Sequence, residues 1–209
     1  MPLGSSSWPT WSNWDIASIC YFCVAAMTFI PVLRAMLRKV KLHDGGSSFS
    51  QSTHFDDEDT KRLEQNFSRI RGTLVFWKNK AEWNKRFHVY TLSWTIPVSL
   101  LVPIVSQSIG QTSDGANFFL TLISSHTALL IAFHRALKVE NNFKAFRHGE
   151  SEFYDLYRRL LDRPDTFGEK TSEQINNYFT EVERIRKSVR IAETDNLPML
   201  ESKPKQDGK

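Results

Sequence analysis

The sequence predicts an all-α integral membrane protein with a transmembrane helical hairpin, an extra N-terminal span and amphipathic cytosolic helices. The first observation is that the 48 residues between Arg86 and Arg135 contain a single formal charge, Asp114. The second is another uncharged and largely apolar run at residues 16–33. The third is that apolar residues elsewhere recur at the three- and four-residue spacing of amphipathic helices.

The predicted hairpin occupies residues 87–134. Two apolar runs, 87–109 and 116–134, are joined by the short polar segment 110–115. At about 1.5 Å of helical rise per residue, each run matches the roughly 30 Å hydrocarbon core of a bilayer. A buried hairpin of a soluble helical protein usually has shorter runs and one charged face, and neither run has such a face. We therefore expect two membrane spans here.

The predicted N-terminal span lies within residues 1–41. Its positive charges, beginning at Arg34, follow the apolar run, whereas in a cleaved signal peptide they precede it. This order favours a retained signal-anchor span. Cys20 and Cys23 both lie inside the run, where they are expected to act as small apolar side chains and not as a disulfide framework.

The distribution of charge predicts the topology. If all three runs span, the 27 Lys and Arg residues fall on one side of the membrane. The positive-inside rule then puts the N-terminus and the short loop outside and the C-terminus in the cytosol. The net charge of +4 is not gathered into one basic stripe, so no nucleic-acid partner is expected.

The remaining segments are predicted to be cytosolic. Residues 42–56 are rich in Gly, Ser and Gln and read as a flexible linker. Residues 57–86 form an amphipathic helix that continues into the second span, 135–195 form a helical pair, and 196–209 form a disordered tail. The apolar stripes of these helices can pack against each other, against neighbouring protomers or against the inner leaflet, and we favour a bundle shared between protomers.

The sequence contains no nucleophile elbow, Walker loop, zinc spacing or dinucleotide fingerprint. We therefore expect no enzymatic activity, no cofactor and no metal site. Small and hydroxylated side chains instead recur along the hairpin, and such rows serve either close helix packing or the wall of a polar pore. The pore-lining candidates are Thr91, Thr95, Ser99, Asn117, Thr121, Ser124, Ser125 and Ala128.

Three residues of the hairpin are gating candidates. Pro97 and Pro103 each remove a helical hydrogen bond and can kink the second span. His126 lies near the middle of the third span, where an ionisable side chain is a functional candidate, although a neutral histidine bonded between helices is the commoner case. The pore-mouth candidates are Asp114, His134 and Arg135.

The layout of residues 57–195 resembles the SLATT family of two-transmembrane effector domains associated with SMODS and SLOG modules. The resemblance rests on an amphipathic helix that leads into a tight hairpin, followed at once by charged helices. The segments that carry it are Trp77-Lys78-Asn79-Lys80, Trp83-Asn84-Lys85-Arg86, Arg135-Ala136-Leu137-Lys138, Phe153-Tyr154-Asp155-Leu156-Tyr157 and Glu181-Val182-Glu183-Arg184-Ile185-Arg186. It implies a pore-forming or membrane-perturbing effector that acts downstream of nucleotide-signal sensing in bacterial defence.

These observations together predict a homo-oligomer in the lipid bilayer whose second and third spans form an ion-conducting pore. One hairpin cannot enclose a channel, so several copies are required. The cytosolic helices would then set assembly and gating. The alternative is a non-conducting membrane adaptor or assembly subunit that binds a protein partner through its cytosolic helices.

Overall fold

The computed structural model describes residues 12–38, 40, 42, 48–108 and 114–196, and within these ranges the protein is helical with no β-strand. The all-α prediction is confirmed. Two short 3-10 helices, Phe49–Gln51 and Pro164–Phe167, accompany the α-helices. In the described ranges the α-helices are α1 Asn13–Leu37, α2 Asp57–Ser108, α3 Asp114–Ala136, α4 Val139–Asp162 and α5 Thr171–Asp195.

The predicted continuation of the cytosolic helix into the hairpin is seen in α2, which runs for 52 residues without interruption. Its N-terminus is stabilised by Asp56, whose Oδ1 accepts a hydrogen bond of 2.7 Å from the backbone N–H of Asp59. Acidic residues in the first turn add favourable charge at the positive end of the helix dipole. Pro97 and Pro103 lie inside the helix, which continues through both.

Three helices of the described chain are long and apolar enough to cross a membrane: α1, the second half of α2, and α3. They pack against one another through a small cluster that includes Val32, Tyr90 and Leu130. Their outer surfaces carry exposed large apolar side chains such as Phe22 and Leu100. An apolar outer surface of this kind is what a lipid environment requires.

The first half of α2 packs with α4 and α5 into a second core, which contains the apolar stripes predicted for these helices. Leu63 and Leu74 on α2, and Ile175 and Val182 on α5, are fully or almost fully buried. The apolar stripes are therefore packed against each other within one chain, which differs from the favoured bundle between protomers. Antiparallel α4 and α5 supply the complementary faces because the turn at residues 163–170 folds α5 back along α4.

Residues 48–56, which the sequence predicts to be part of a flexible linker, are instead packed onto the core of the bundle. Phe49 is 1% exposed, and its ring packs edge-on against Tyr157 with 4.6 Å between centroids. Phe55 is also buried in the same core. Two phenyl rings gain enough burial to order a segment whose Gly, Ser and Gln content favours a flexible chain.

Some predictions fall on residues that the structure leaves undescribed. These are residues 1–11 at the N-terminus, most of the short loop at 109–113, part of the linker at 43–47, and the tail from 197. The charged segment 39–41 is described only at Val40.

Candidate functional site

The hydroxyl row of α3 lies on the outer surface of the three-helix unit that α1, the second half of α2 and α3 form. Its members recur every three or four residues, so one helix face carries them. Asn117, Thr121, Ser124, Ser125 and Ala128 are all exposed, whereas Ile123 and Leu130 on other faces of the helix are buried against α1 and α2. Buried apolar residues of α3 therefore make the packing contacts, and the hydroxyl row faces outward beside exposed apolar residues such as Phe118 and Leu129.

Hydrogen bonding within this row is incomplete. The hydroxyl of Thr121 donates to the backbone carbonyl of Asn117 at 2.9 Å. Ser124 and Ser125 have no hydrogen-bond partner among the described residues. Side-chain hydroxyls in a bilayer need a partner from the same helix, a neighbouring helix or water.

The hydroxyl row of α2 does not lie on a single surface. Thr91 is 4% exposed, and its Oγ1 has no hydrogen-bond partner in the described chain, while Thr95 is half-buried. Ser99 is exposed and donates to the carbonyl of Ile96 at 2.7 Å. Residues four apart differ by about 40° around a helix, so the row rotates out of the interhelical contact between Thr91 and Ser99.

His126 points into the middle of the three-helix unit. Its Nδ1 lies 2.7 Å from the Tyr21 hydroxyl of α1, and its Nε2 lies 3.4 Å from the Tyr90 hydroxyl of α2. Tyr90 also donates to the carbonyl of Ala25 at 3.3 Å.

The Tyr90–Ala25 contact supports one assignment of the proton on the His126 ring. A carbonyl only accepts, so when the Tyr90 hydroxyl donates to Ala25, its oxygen accepts from Nε2–H. Nδ1 then accepts from Tyr21. This assignment leaves a neutral imidazole with both nitrogens bonded, in a relay that joins all three membrane helices.

Aromatic side chains surround this relay. The rings of Tyr21 and Trp94 meet edge-to-face at 4.9 Å, and Trp94 lies 5.6 Å from the His126 ring. The indole N–H of Trp94 donates to the hydroxyl of Thr28 at 3.0 Å. Tyr21, Tyr90 and Trp94 were not among the residues predicted from the sequence. The available signal was an amphipathic aromatic pair, Tyr90 and Trp94, four residues apart inside an apolar run.

The remaining candidates lie along α2 or near the ends of α3. Asp114 is exposed in the first turn of α3, and Arg135 is exposed in the last. His134 is turned toward α2, where its Nε2 lies 2.7 Å from Nδ1 of His88. Pro97 and Pro103 are exposed on α2. The two ends of α3 thus differ, with a carboxylate at one end and an imidazole pair beside a guanidinium at the other.

In the part of the chain that the structure describes, no group of three His, Cys, Asp or Glu side chains could hold a metal ion. Cys20 and Cys23 are free and exposed on α1.

No protein-family model, curated protein or solved structure matches this chain, and the SLATT resemblance therefore stays a prediction.

Proposed function

We propose that the protein is a homo-oligomeric membrane protein in which several copies of α3 surround an ion-conducting pore. The observation that carries the proposal is the exposed face of α3 formed by Asn117, Thr121, Ser124, Ser125 and Ala128. These side chains are small or polar and lie on the outside of a unit that also exposes many large apolar residues, such as Phe22 and Leu100. Neighbouring protomers and water would supply the partners that lipid cannot.

The same proposal includes a topology. The N-terminus and the short loop lie outside, and the α2–α4–α5 bundle lies in the cytosol. The support is the distribution of charge, because every Lys and Arg follows residue 33 and falls on the bundle's side of the three spans. Asp114 is then at the outer end of the pore, and Arg135 is at the inner end.

In this arrangement His126 is a positioning residue. Its bonds to Tyr21 and Tyr90 hold the inner faces of the three helices together, which leaves the hydroxyl face of α3 directed at the next protomer or the pore. Gating is assigned to α2, where Pro97 and Pro103 lack the N–H groups that would complete the helical ladder. Thr91, being buried, contributes to packing within the protomer.

The test is ion flux through liposomes or planar bilayers containing the purified full chain. Thr121→Leu and Ser125→Leu replace a hydroxyl with a bulky apolar group on the proposed pore wall, and each is expected to abolish or strongly reduce conductance. The matched control is Phe22→Leu, because Phe22 is 67% exposed on the outer face of α1 and should tolerate another apolar side chain. A chain that is monomeric in nanodiscs, or unchanged conductance in both hydroxyl variants, would exclude this pore.

The alternative is a non-conducting adaptor. The observation in its favour is that Phe76 on α2 and Ile191 on α5 remain 41% and 50% exposed on the bundle, although most residues of its apolar stripes are buried. An adaptor predicts that Phe76→Ser and Ile191→Ser remove a protein partner, while Thr121→Leu has no effect. The pore predicts the opposite pattern of sensitivity.

A further inference from the structure

Two cavities adjoin one another at the boundary between the three-helix unit and the bundle of α2, α4 and α5. One has a volume of about 650 Å³ and the other about 640 Å³. Both are lined by Pro31 of α1 and by Glu82, Lys85 and Arg86 of α2. The shared wall makes them two parts of one recess, and each part is of the size that small ligands occupy.

The first part, which we term the basic cavity, is strongly cationic. Its lining contains the carboxylates of Glu82 and Glu150, which pair with Arg86 at 2.6 Å and with Arg147 at 2.7 Å. The lining also contains the cations Arg34, Arg38, Lys78 and Lys85. Arg34, Arg38 and Lys85 have no acidic partner within 4.0 Å among the described residues, so the cavity is electrostatically complementary to an anion.

The second part, which we term the apolar groove, follows α2 away from these charges. Beyond Arg86 its α2 lining runs from Val89 to Leu101 and contains no ionisable side chain other than Tyr90. At about 1.5 Å per residue this stretch is about 18 Å long. Tyr21 and Val32 of α1 form the opposite wall. A ligand that fills both parts must have a charged head and a long apolar tail.

The recess also lies at the right depth for such a ligand. Arg34 is the first charge after the apolar run of α1, and Arg86 is the last charge before the apolar run of α2. Lipid phosphates lie at this boundary between hydrocarbon and water. This depth rests on the proposed membrane topology and is independent of whether the protein conducts ions.

We propose that this recess binds one anionic glycerophospholipid from the leaflet on the side of the cytosolic bundle. The phosphate lies in the basic cavity and accepts charge-assisted hydrogen bonds from Arg34, Arg38 and Lys85. One acyl chain lies along the apolar groove beside Val89, Ser93 and Leu101. A soluble phosphate ester shares the head chemistry but leaves the groove empty, and this difference separates the two sources of phosphate.

The experiment titrates the full chain, purified in a neutral detergent, with three probes and follows lipid binding by native mass spectrometry and by the shift in unfolding temperature. The probes are dioctanoyl phosphatidylglycerol, dioctanoyl phosphatidylcholine and glycerol phosphate. We expect phosphatidylglycerol to bind with a stoichiometry of about one per chain and to raise the unfolding temperature. Phosphatidylcholine and glycerol phosphate should bind at least about tenfold more weakly, since the choline cation cancels the negative charge of the first head group and the second probe has no acyl chain.

Variants locate the binding in the recess. The double change Arg34→Gln with Lys85→Gln should weaken phosphatidylglycerol binding by about tenfold or more, because it removes two of the cations that bind the phosphate. Ser93→Trp should also weaken it, by filling the groove. The control Arg158→Gln removes an exposed cation at the far end of α4 and should leave binding unchanged.

Equal affinity for phosphatidylglycerol and phosphatidylcholine, or no response to either recess variant, would overturn the proposal. Glycerol phosphate that binds as tightly as phosphatidylglycerol would replace the lipid with a soluble phosphate ligand. Ser93→Trp tests the same recess if the double variant does not fold. Neither measurement depends on conductance, so a negative result for lipid binding is distinguishable from a negative result for the proposed pore.

Discussion

Tyr21 of α1 holds His126 of α3 through a 2.7 Å contact between its hydroxyl and Nδ1, across 105 positions of sequence. The other imidazole nitrogen faces Tyr90 of α2. A histidine that would be costly in the middle of an apolar unit is thereby neutral and bonded on both sides. The polar group serves to hold three helices in one arrangement.

Disrupting this relay should destabilise the membrane unit. Tyr21→Phe removes one interhelical hydrogen bond and is expected to lower the free energy of unfolding by about 0.6–1 kcal/mol. His126→Leu leaves two hydroxyls without their shared partner and should cost about 1–3 kcal/mol. The measurement is unfolding of the full chain in mixed micelles, followed by circular dichroism. Strictly additive effects in the double variant Tyr21→Phe with His126→Leu would contradict the direct contact.

Two glycines in helix interiors should respond to alanine with opposite signs. A Cβ at Gly149 would overlap a methyl group of Val189, because α4 and α5 approach closely there. We expect Gly149→Ala to destabilise the bundle by about 1–3 kcal/mol through overpacking. Val189→Ala added to it should restore part of this loss. A neutral Gly149→Ala would contradict the close approach of the two helices.

Gly72 of α2 is the matched control for that substitution. It is exposed, and a Cβ there would meet nothing within 4 Å. Gly72→Ala should therefore stabilise the protein by about 0.5–1 kcal/mol, since alanine loses less backbone freedom than glycine on entering a helix. Thermal unfolding of both variants measures the contrast directly.

The hydroxyl of Tyr178 is buried without a hydrogen-bond partner in the described chain. Its ring lies among other aromatic residues, including Phe49 and Phe167. Tyr178→Phe removes an unsatisfied polar atom and keeps the ring, so we expect a gain in stability of about 1 kcal/mol at neutral pH. A loss of stability on this change would mean that the hydroxyl has a bonding partner.

Tyr178 should also make stability depend on alkaline pH. Burial raises the pKa of its phenol in the folded protein, because the phenolate would be poorly solvated. Below about pH 10 the phenol is neutral in both states and contributes no pH dependence. Above it the unfolded chain ionises first, and stability falls by up to about 1.4 kcal/mol per pH unit. Urea titrations at several alkaline pH values should show a shallower decline in Tyr178→Phe than in the native chain.

The proposed topology can be tested with single cysteines. In a variant in which Cys20 and Cys23 are serine, Ser12→Cys lies just before α1 and Ser151→Cys lies exposed on α4. A membrane-impermeant maleimide added to intact cells should label the cysteine at position 12 at once. It should label the cysteine at position 151 only after the membrane is permeabilised. The reverse pattern would invert the orientation and contradict the positive-inside assignment.

The parts of this fold that could be predicted from sequence are those set by local spacing. Leu63 and Leu74, or Ile175 and Val182, lie on one helix face whatever else the chain does, and all four are core residues. The continuous α2 is also consistent with the local sequence, because no proline lies between Pro31 and Pro97.

Contacts between distant segments could not be predicted in this way. Nothing in a local window pairs Tyr21 with His126, or brings Phe49 onto Tyr157. The spacing of Thr91 and Ser99 also suggested one shared surface, yet the gradual rotation of the row places one inside and one outside. The basic cavity depends on three helices at once, so its cations were visible in the sequence only as separate charges.

The unbroken length of α2 has a mechanical consequence. A helix of 52 residues is about 78 Å long, and one end of it belongs to each of the two cores. Because α2 contributes to both cores, a tilt of its apolar half would displace the end that packs against α4 and α5. A displacement of the bundle would be transmitted along the same helix in the opposite direction, to the extent that α2 stays straight through Pro97 and Pro103.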